Sequence, residues 1–173
     1  QVKFELVSPE KLLVSEEVDM VVVPGTEGYF GVLPGHAPLI SSLRPGTIDV
    51  YNGKVIAEQI FVAGGFAEVT NQRCTVLADE AIRVVALDRG VIEGEVADLK
   101  AKLPTLREAA EQGGESEKAR MRGAETALAV ASAKLEALNR ATAHWSVRQS
   151  RDTGSDIARF RCHGIVLRLA RVA

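Results

Sequence analysis

From residue 2 to residue 86 short apolar runs alternate with polar breaks, and the chain reads as strand after strand. Residues 2–7 alternate loosely, and 12–23 are rich in valine with Glu17 and Asp19 at outward positions. Residues 47–51 and 54–62 flank Asn52-Gly53. Asn-Gly between apolar runs predicts a tight type I′ hairpin, because that turn needs φ > 0 at both central residues. Further strands are predicted over 66–70 and 74–78, on either side of the polar turn Asn71-Gln72-Arg73, and over 81–87. Many short strands with no helix between them cannot form a parallel sheet, whose crossovers take about a dozen residues or more. The pattern predicts an antiparallel β-sandwich.

Punctuation is densest between 24 and 46, where Pro24-Gly25, Pro34-Gly35 and Pro45-Gly46 recur. Proline at the second position of a turn and glycine at the third suit type II, because proline presets φ and glycine accepts φ > 0. Gly25, Gly28 and Gly31 invite a phosphate-loop reading. Such a loop needs a helix N-terminus straight after the glycines, and Val32, Leu33 and another Pro-Gly follow instead. The glycines therefore predict a tight exposed loop with Tyr29-Phe30 at its tip. Those aromatics either fold under the loop as a small core or form a contact patch on a rigid scaffold.

From 91 to 140 the pattern changes period. Ile92, Val96, Leu99, Leu103, Leu106 and Ala110 recur at steps of four and three, as do Met121, Ala124, Leu128, Ala131, Leu135 and Leu138. This is the spacing of packed helices. Gly113-Gly114 between them predicts an antiparallel hairpin, with Ser116 as N-cap of the second helix. Pro104 predicts a kink or break near 102–103, and Gly90 and Gly94 weaken the first helix's start. The alanine-rich second seam buries little area per residue, so its docking is expected to be weak. The fold class is thus mainly β plus α: residues 1–87 a β-sandwich of about ten strands, 88–140 a two-helix hairpin, and 141–173 a tail.

The tail carries six arginines against two aspartates and no lysine, whereas the whole chain of 173 residues has a formal charge of -2. That overall balance argues against nucleic acid as a partner. Residues 165–169 could form a short strand or helix. No apolar stretch approaches the roughly 20 residues of a membrane span, and no secretory leader is legible. Cys74 and Cys162 lie far apart and outside any ligand-spaced pair, so neither a disulfide framework nor a zinc site is expected. A soluble, intracellular chain follows, reaching a membrane only through a partner.

Candidate chemistry is sparse. His36 follows a Pro-Gly turn with no serine, cysteine or carboxylate constellation around it, and reads as a loop histidine bonded to backbone or facing a partner. Cys162-His163 is too sparse for a metal. Cys74 falls on a strand where small buried thiols are common. No acid/base pair or activated nucleophile assembles, so no catalytic residue, cofactor or metal is expected.

Five blocks, in order, resemble the epsilon subunit of F-type ATP synthases (delta in mitochondria). They are Phe4-Glu5-Leu6-Val7-Ser8-Pro9-Glu10; Val23-Pro24-Gly25 with Glu27-Gly28; Leu33-Pro34-Gly35-His36-Ala37-Pro38-Leu39; Ala63-Gly64-Gly65-Phe66-Ala67-Glu68-Val69; and Thr75-Val76-Leu77-Ala78. The resemblance implies an N-terminal β-sandwich followed by a two-helix hairpin. It further implies a non-catalytic rotor subunit of the central stalk that couples gamma to the c-ring. Glu27, Gly28, Tyr29, Phe30 and Gly31 would face the c-ring, and His36, Ala37, Pro38 and Leu39 would meet gamma. The hairpin would reach the alpha/beta head and regulate ATP hydrolysis. The implied location is peripheral, on the cytoplasmic face of a bacterial inner membrane or the matrix side of a mitochondrial one. Some relatives bind ATP through Leu-Asp-x-x-Arg-Ala; this chain has Leu87-Asp88-Arg89-Gly90-Val91-Ile92, without the Arg-Ala pair. The alternative reading is a nucleotide sensor that holds ATP between hairpin and sandwich.

Overall fold

A computed structural model describes residues 1–142 with side chains and the backbone helix on to Arg151. Cys162-His163, the element expected at 165–169 and the rest of the basic tail beyond Arg151 lie outside the described residues.

Ten strands come first: β1 (Val2–Val7), β2 (Leu12–Val18), β3 (Met20–Gly25), β4 (Gly28–Val32) and β5 (Leu39–Leu43), then β6 (Gly46–Asn52), β7 (Val55–Val62), β8 (Gly65–Val69), β9 (Arg73–Ala78) and β10 (Ala81–Arg83). They hydrogen-bond in the order β10-β7-β6-β3-β5-β8-β9-β1-β2, with β4 beside β3. A single backbone pair, Gly25 with Leu43, joins β3 to β5, and there the sheet folds over into two layers. Every pairing is antiparallel except β1 with β9, which runs parallel. That pair is possible without a helical crossover because almost the whole sandwich serves as the connection.

Period-two alternation sends one face of each strand inward. Phe4, Leu6, Val21, Val23, Ile48, Val50, Ile60, Val62, Val76 and Cys74 meet between the layers and are essentially inaccessible. Predicted 12–23 is two strands that break at Asp19, whose carboxylate accepts a hydrogen bond from Gly53 N at 2.6 Å. The β6–β7 loop is Gly53-Lys54, with positive φ at Gly53 alone. This matches a type II′ turn, not the predicted I′, because glycine occupies the first central position. Predicted 81–87 ends as a strand at Arg83 and continues as a 3-10 turn over Val84–Ala86.

Of the three Pro-Gly pairs only Pro34-Gly35 turns with positive φ at glycine (81°). Pro24-Gly25 lies in β3 and Gly46 begins β6. The expected loop over 27–31 is mostly strand: Val23 pairs with Phe30 and Pro24 with Tyr29, which leaves Thr26-Glu27 as the turn. Pro24 has no N–H to donate, and its carbonyl accepts from Arg44 N at 3.0 Å, which ties β3 to the residues after β5.

Helix α1 (Arg89–Gln112) and helix α2 (Glu115–Arg151) follow. Asp88 caps α1, accepting from Val91 N at 3.1 Å. α1 runs unbroken through Pro104, which sits on its exposed side where the freed carbonyl meets water. Ser116 is not the N-cap of α2. The helix starts one residue earlier, and Gly114 O accepts its first bond from Lys118 N at 3.3 Å. Both predicted seams face inward: Ile92, Leu103, Ala110 and Ala131 are buried and their seam neighbours half-buried. Arg107 of α1 adds an ion pair to Glu125 of α2 at 3.2 Å. α2 also continues past residue 140, where the composition shifts.

Candidate partner-binding surfaces and the hairpin contact

The outer faces of the two layers differ. On the first layer Thr47, Asp49, Tyr51, Gln59 and Phe61 point outward, and α2 lies over them. Phe61 and Val84 meet Ala137 in a small buried cluster, with Val130, Ala133, Leu138 and Ala141 around it. Lys134 lies over the Phe61 ring at 5.6 Å and bonds Glu80 at 2.9 Å. Apart from Leu138, the last residue of the predicted seam, these sandwich contacts come from positions outside that seam.

At the centre of that contact Asp49, 2% exposed, is one of the two buried polar residues of the described chain. Its Oδ1 accepts from Gln59 Nε2 at 2.9 Å, and its Oδ2 accepts from Arg140 Nη2 at 2.7 Å. Arg140 also donates through Nη1 to the Tyr29 hydroxyl at 3.3 Å. The Tyr29 ring carries Arg44 at 4.9 Å and Arg140 at 5.4 Å from its centroid, two cation–π contacts. Burial, and then the Asp49 charge, push the Tyr51 phenol above its usual pKa, while Arg140 acts the other way.

Tyr29 and Phe30 are therefore not outward at a loop tip. Both are half-buried: Phe30 packs on the sandwich core and Tyr29 lies under two guanidinium groups. Gly31 is buried, Gly28 half-buried and Glu27 exposed, so the accessible part of this segment is the Thr26-Glu27 turn. His36 is half-buried. Its backbone N–H donates to Leu33 O at 3.1 Å, and its ring Nδ1 sits 2.6 Å from Ala37 O. Ala37, Pro38 and Leu39 are exposed.

The outer face of the second layer is uncovered by any described residue and partly apolar. The register lines up Ser42, Phe66, Leu77, Val7 and Leu12 across β5-β8-β9-β1-β2. Phe66, Leu77 and Leu12 are 57%, 55% and 57% exposed, and Ile40 on β5 is 76% exposed. The segment from His36 to Leu39 feeds directly into this stripe. The sequence blocks contain Phe66 and Leu77, but only the register reveals that they are neighbours.

A cleft of about 810 Å³ opens between β7, the 3-10 turn and α2. Its ionic lining is Glu16, Glu58 and Arg83, and Arg83 is already paired with Glu58 at 2.5 Å. At the α1 start, Val91 stands exposed where the ATP-binding motif has arginine. Among the described residues no group of His, Cys, Asp or Glu converges where a metal could sit, and no helix is long and apolar enough to cross a membrane. Cys74, buried between the layers, has its thiol pushed up to about 12 by burial.

Residues 1–84 match the family model described as the ATP synthase Delta/Epsilon chain beta-sandwich domain. The ATP synthase epsilon chain of Rhodospirillum rubrum is 52% identical over 129 residues, covering 75% of this chain and 94% of that one. The chain belongs to the ATP synthase epsilon family. The epsilon chain of Rhodospirillum centenum agrees, at 52% identity over 138 residues, 79% of this chain and 90% of the relative. In fold, the chain is similar to one in the cryo-EM structure of the Euglena gracilis mitochondrial ATP synthase (OSCP/F1/c-ring, rotational state 1). The TM-score is 0.66 at 24% identity, over 80% of this chain and 81% of that one. Epsilon chains are accessory subunits of a membrane-associated complex.

Proposed function

We infer that this chain is a non-catalytic rotor element that fixes the gamma subunit to the c-ring of a proton-driven ATP synthase. The observation that carries the reading is the apolar stripe Ile40, Phe66, Leu77 and Leu12 on an otherwise polar sandwich face. Exposed apolar side chains clustered on a rigid sheet and rimmed by charge are a protein-docking surface. Gamma would cover it, with His36, Ala37, Pro38 and Leu39 at its margin. The Thr26-Glu27 turn would meet the polar loops of the ring, and Tyr29, Phe30 and the glycines would hold that turn in shape. No catalytic task is assigned to the chain, and its site is the cytoplasmic face of a bacterial inner membrane, held through partners.

Torque transfer needs a coupling piece that does not yield, and a two-layer sheet with a continuous valine-rich core supplies it. Phe66→Glu with Leu77→Glu tests the reading. Both side chains are exposed, but they stand opposite each other in the β8–β9 register, so the two glutamates repel and the unfolding free energy should fall by about 1 kcal/mol in total, with the sandwich still folded. Binding to purified gamma subunit, followed by calorimetry, should fall by a factor of about 100 or more. Unchanged gamma affinity in a folded double variant would place gamma elsewhere.

A further inference from the structure

We propose that Arg140 is a latch that couples docking of the helical hairpin to the β3–β4 turn through Tyr29. This goes beyond the rotor reading, since it is a property of the chain alone and holds whatever the turn meets.

The apolar part of the α2–sandwich contact is small, with Phe61, Val84 and Ala137 its buried members. Alanine buries little area, so these contacts by themselves specify docking weakly. The polar contacts are more exacting. Asp49 is covered when α2 docks, and its carboxylate then has two partners, Gln59 and Arg140. A docked hairpin without Arg140 would leave that charge buried with one neutral donor, an arrangement proteins avoid. In the undocked state water reaches Asp49 instead. Docking is therefore conditional on Arg140.

The second half of the latch is Tyr29. Its hydroxyl crosses the start of β6 above Gly46, where an added Cβ would lie 2.8 Å from Pro24 Cβ and 3.1 Å from the Tyr29 oxygen. The absent side chain at 46 is what gives the phenol its slot. From that slot the hydroxyl accepts from Arg140, and the ring lies beneath Arg140 and Arg44 together. Tyr29 pairs with Pro24 two positions beyond the Thr26-Glu27 turn. One side chain therefore serves both the turn and the hairpin. A partner that grips the turn and shifts Tyr29 must alter Arg140, and by linkage release of the hairpin must alter the turn.

Limited trypsin digestion of the full chain reads the docked state. Lys134 is only 15% exposed while α2 is docked, and Lys54 at the β6–β7 loop is exposed in either state and serves as the control for an intact sandwich. Arg140→Ala should raise native-state cleavage after Lys134 by about tenfold or more, the scale of one lost charge-assisted hydrogen bond. Tyr29→Phe should raise it about threefold, and the combined variant should cleave no faster than Arg140→Ala, because both remove one shared contact. Asp49→Asn with Arg140→Met should dock better than Arg140→Ala. Wild-type cleavage in Tyr29→Phe, or multiplying effects in the combination, would overturn the coupling. If Arg140→Ala also speeds cleavage at Lys54, Tyr29→Phe and Arg140→Lys decide, the lysine keeping the charge but not the planar fork and so predicted to release the hairpin partially.

Discussion

At the scale of single residues, the sandwich depends on positions where only one side chain fits. Gly65 has φ +123°, and an added Cβ would lie 2.0 Å from Leu77 O in the neighbouring strand. Gly65→Ala is expected to lower stability by about 2 kcal/mol or more, read from the denaturant midpoint. Cys74 gives a second check. Its thiol is raised by burial from 9.0 to about 12, so the folded state holds the proton more tightly than the unfolded one. The associated stability is fully present below about pH 9 and is lost as pH rises toward about 12. In a Cys162→Ser background, thiol labelling at pH 8 should proceed only at the rate of unfolding. The Ala63–Val69 block could be quoted from the sequence, but not the role of its second glycine, because the carbonyl that excludes a side chain comes from β9. Tyr29 was ambiguous for a similar reason. Arg140, which completes its environment, lies more than a hundred positions away, and spacing carries no trace of that contact.

At the scale of elements, periodicity identified both helices and their facing seams, since steps of three and four leave few alternatives. The face of α2 that meets the sandwich was hidden, because Lys134, Ala137, Arg140 and Ala141 read like an ordinary solvent-facing mix of alanine and charge. Strand positions were legible wherever apolar residues alternated. They failed around Pro24-Gly25 and Pro45-Gly46, where local turn preference yields to pairing of Pro24 and Gly25 with β4 and β5 and of Gly46 with β7. The helices also carry weak points. Gly94 and Gly123 lie exposed in helix interiors with nothing within 4 Å of an added Cβ. Gly94→Ala and Gly123→Ala should each stabilise the hairpin by about 0.5–1 kcal/mol, seen as a higher melting temperature for helical ellipticity.

At the scale of the whole molecule, two outer faces divide the work. One is covered by the molecule's own helix through a small apolar cluster and the Lys134–Glu80 and Arg140–Asp49 ion pairs, and the other leaves apolar side chains exposed. The sandwich between them carries the continuous core, and under the proposed Arg140 latch the hairpin is the element that releases. Trypsin cleavage after Lys134 tests the releasable half; the open face carries the central claim, that this chain is held in a rotor. Affinity purification of the tagged full chain from detergent-solubilised native membranes tests it most directly. The account predicts that the gamma subunit and the c-ring co-purify with it in fixed proportion, and that Phe66→Glu with Leu77→Glu abolishes their recovery. Recovery of the folded native chain without gamma and c subunits would contradict it.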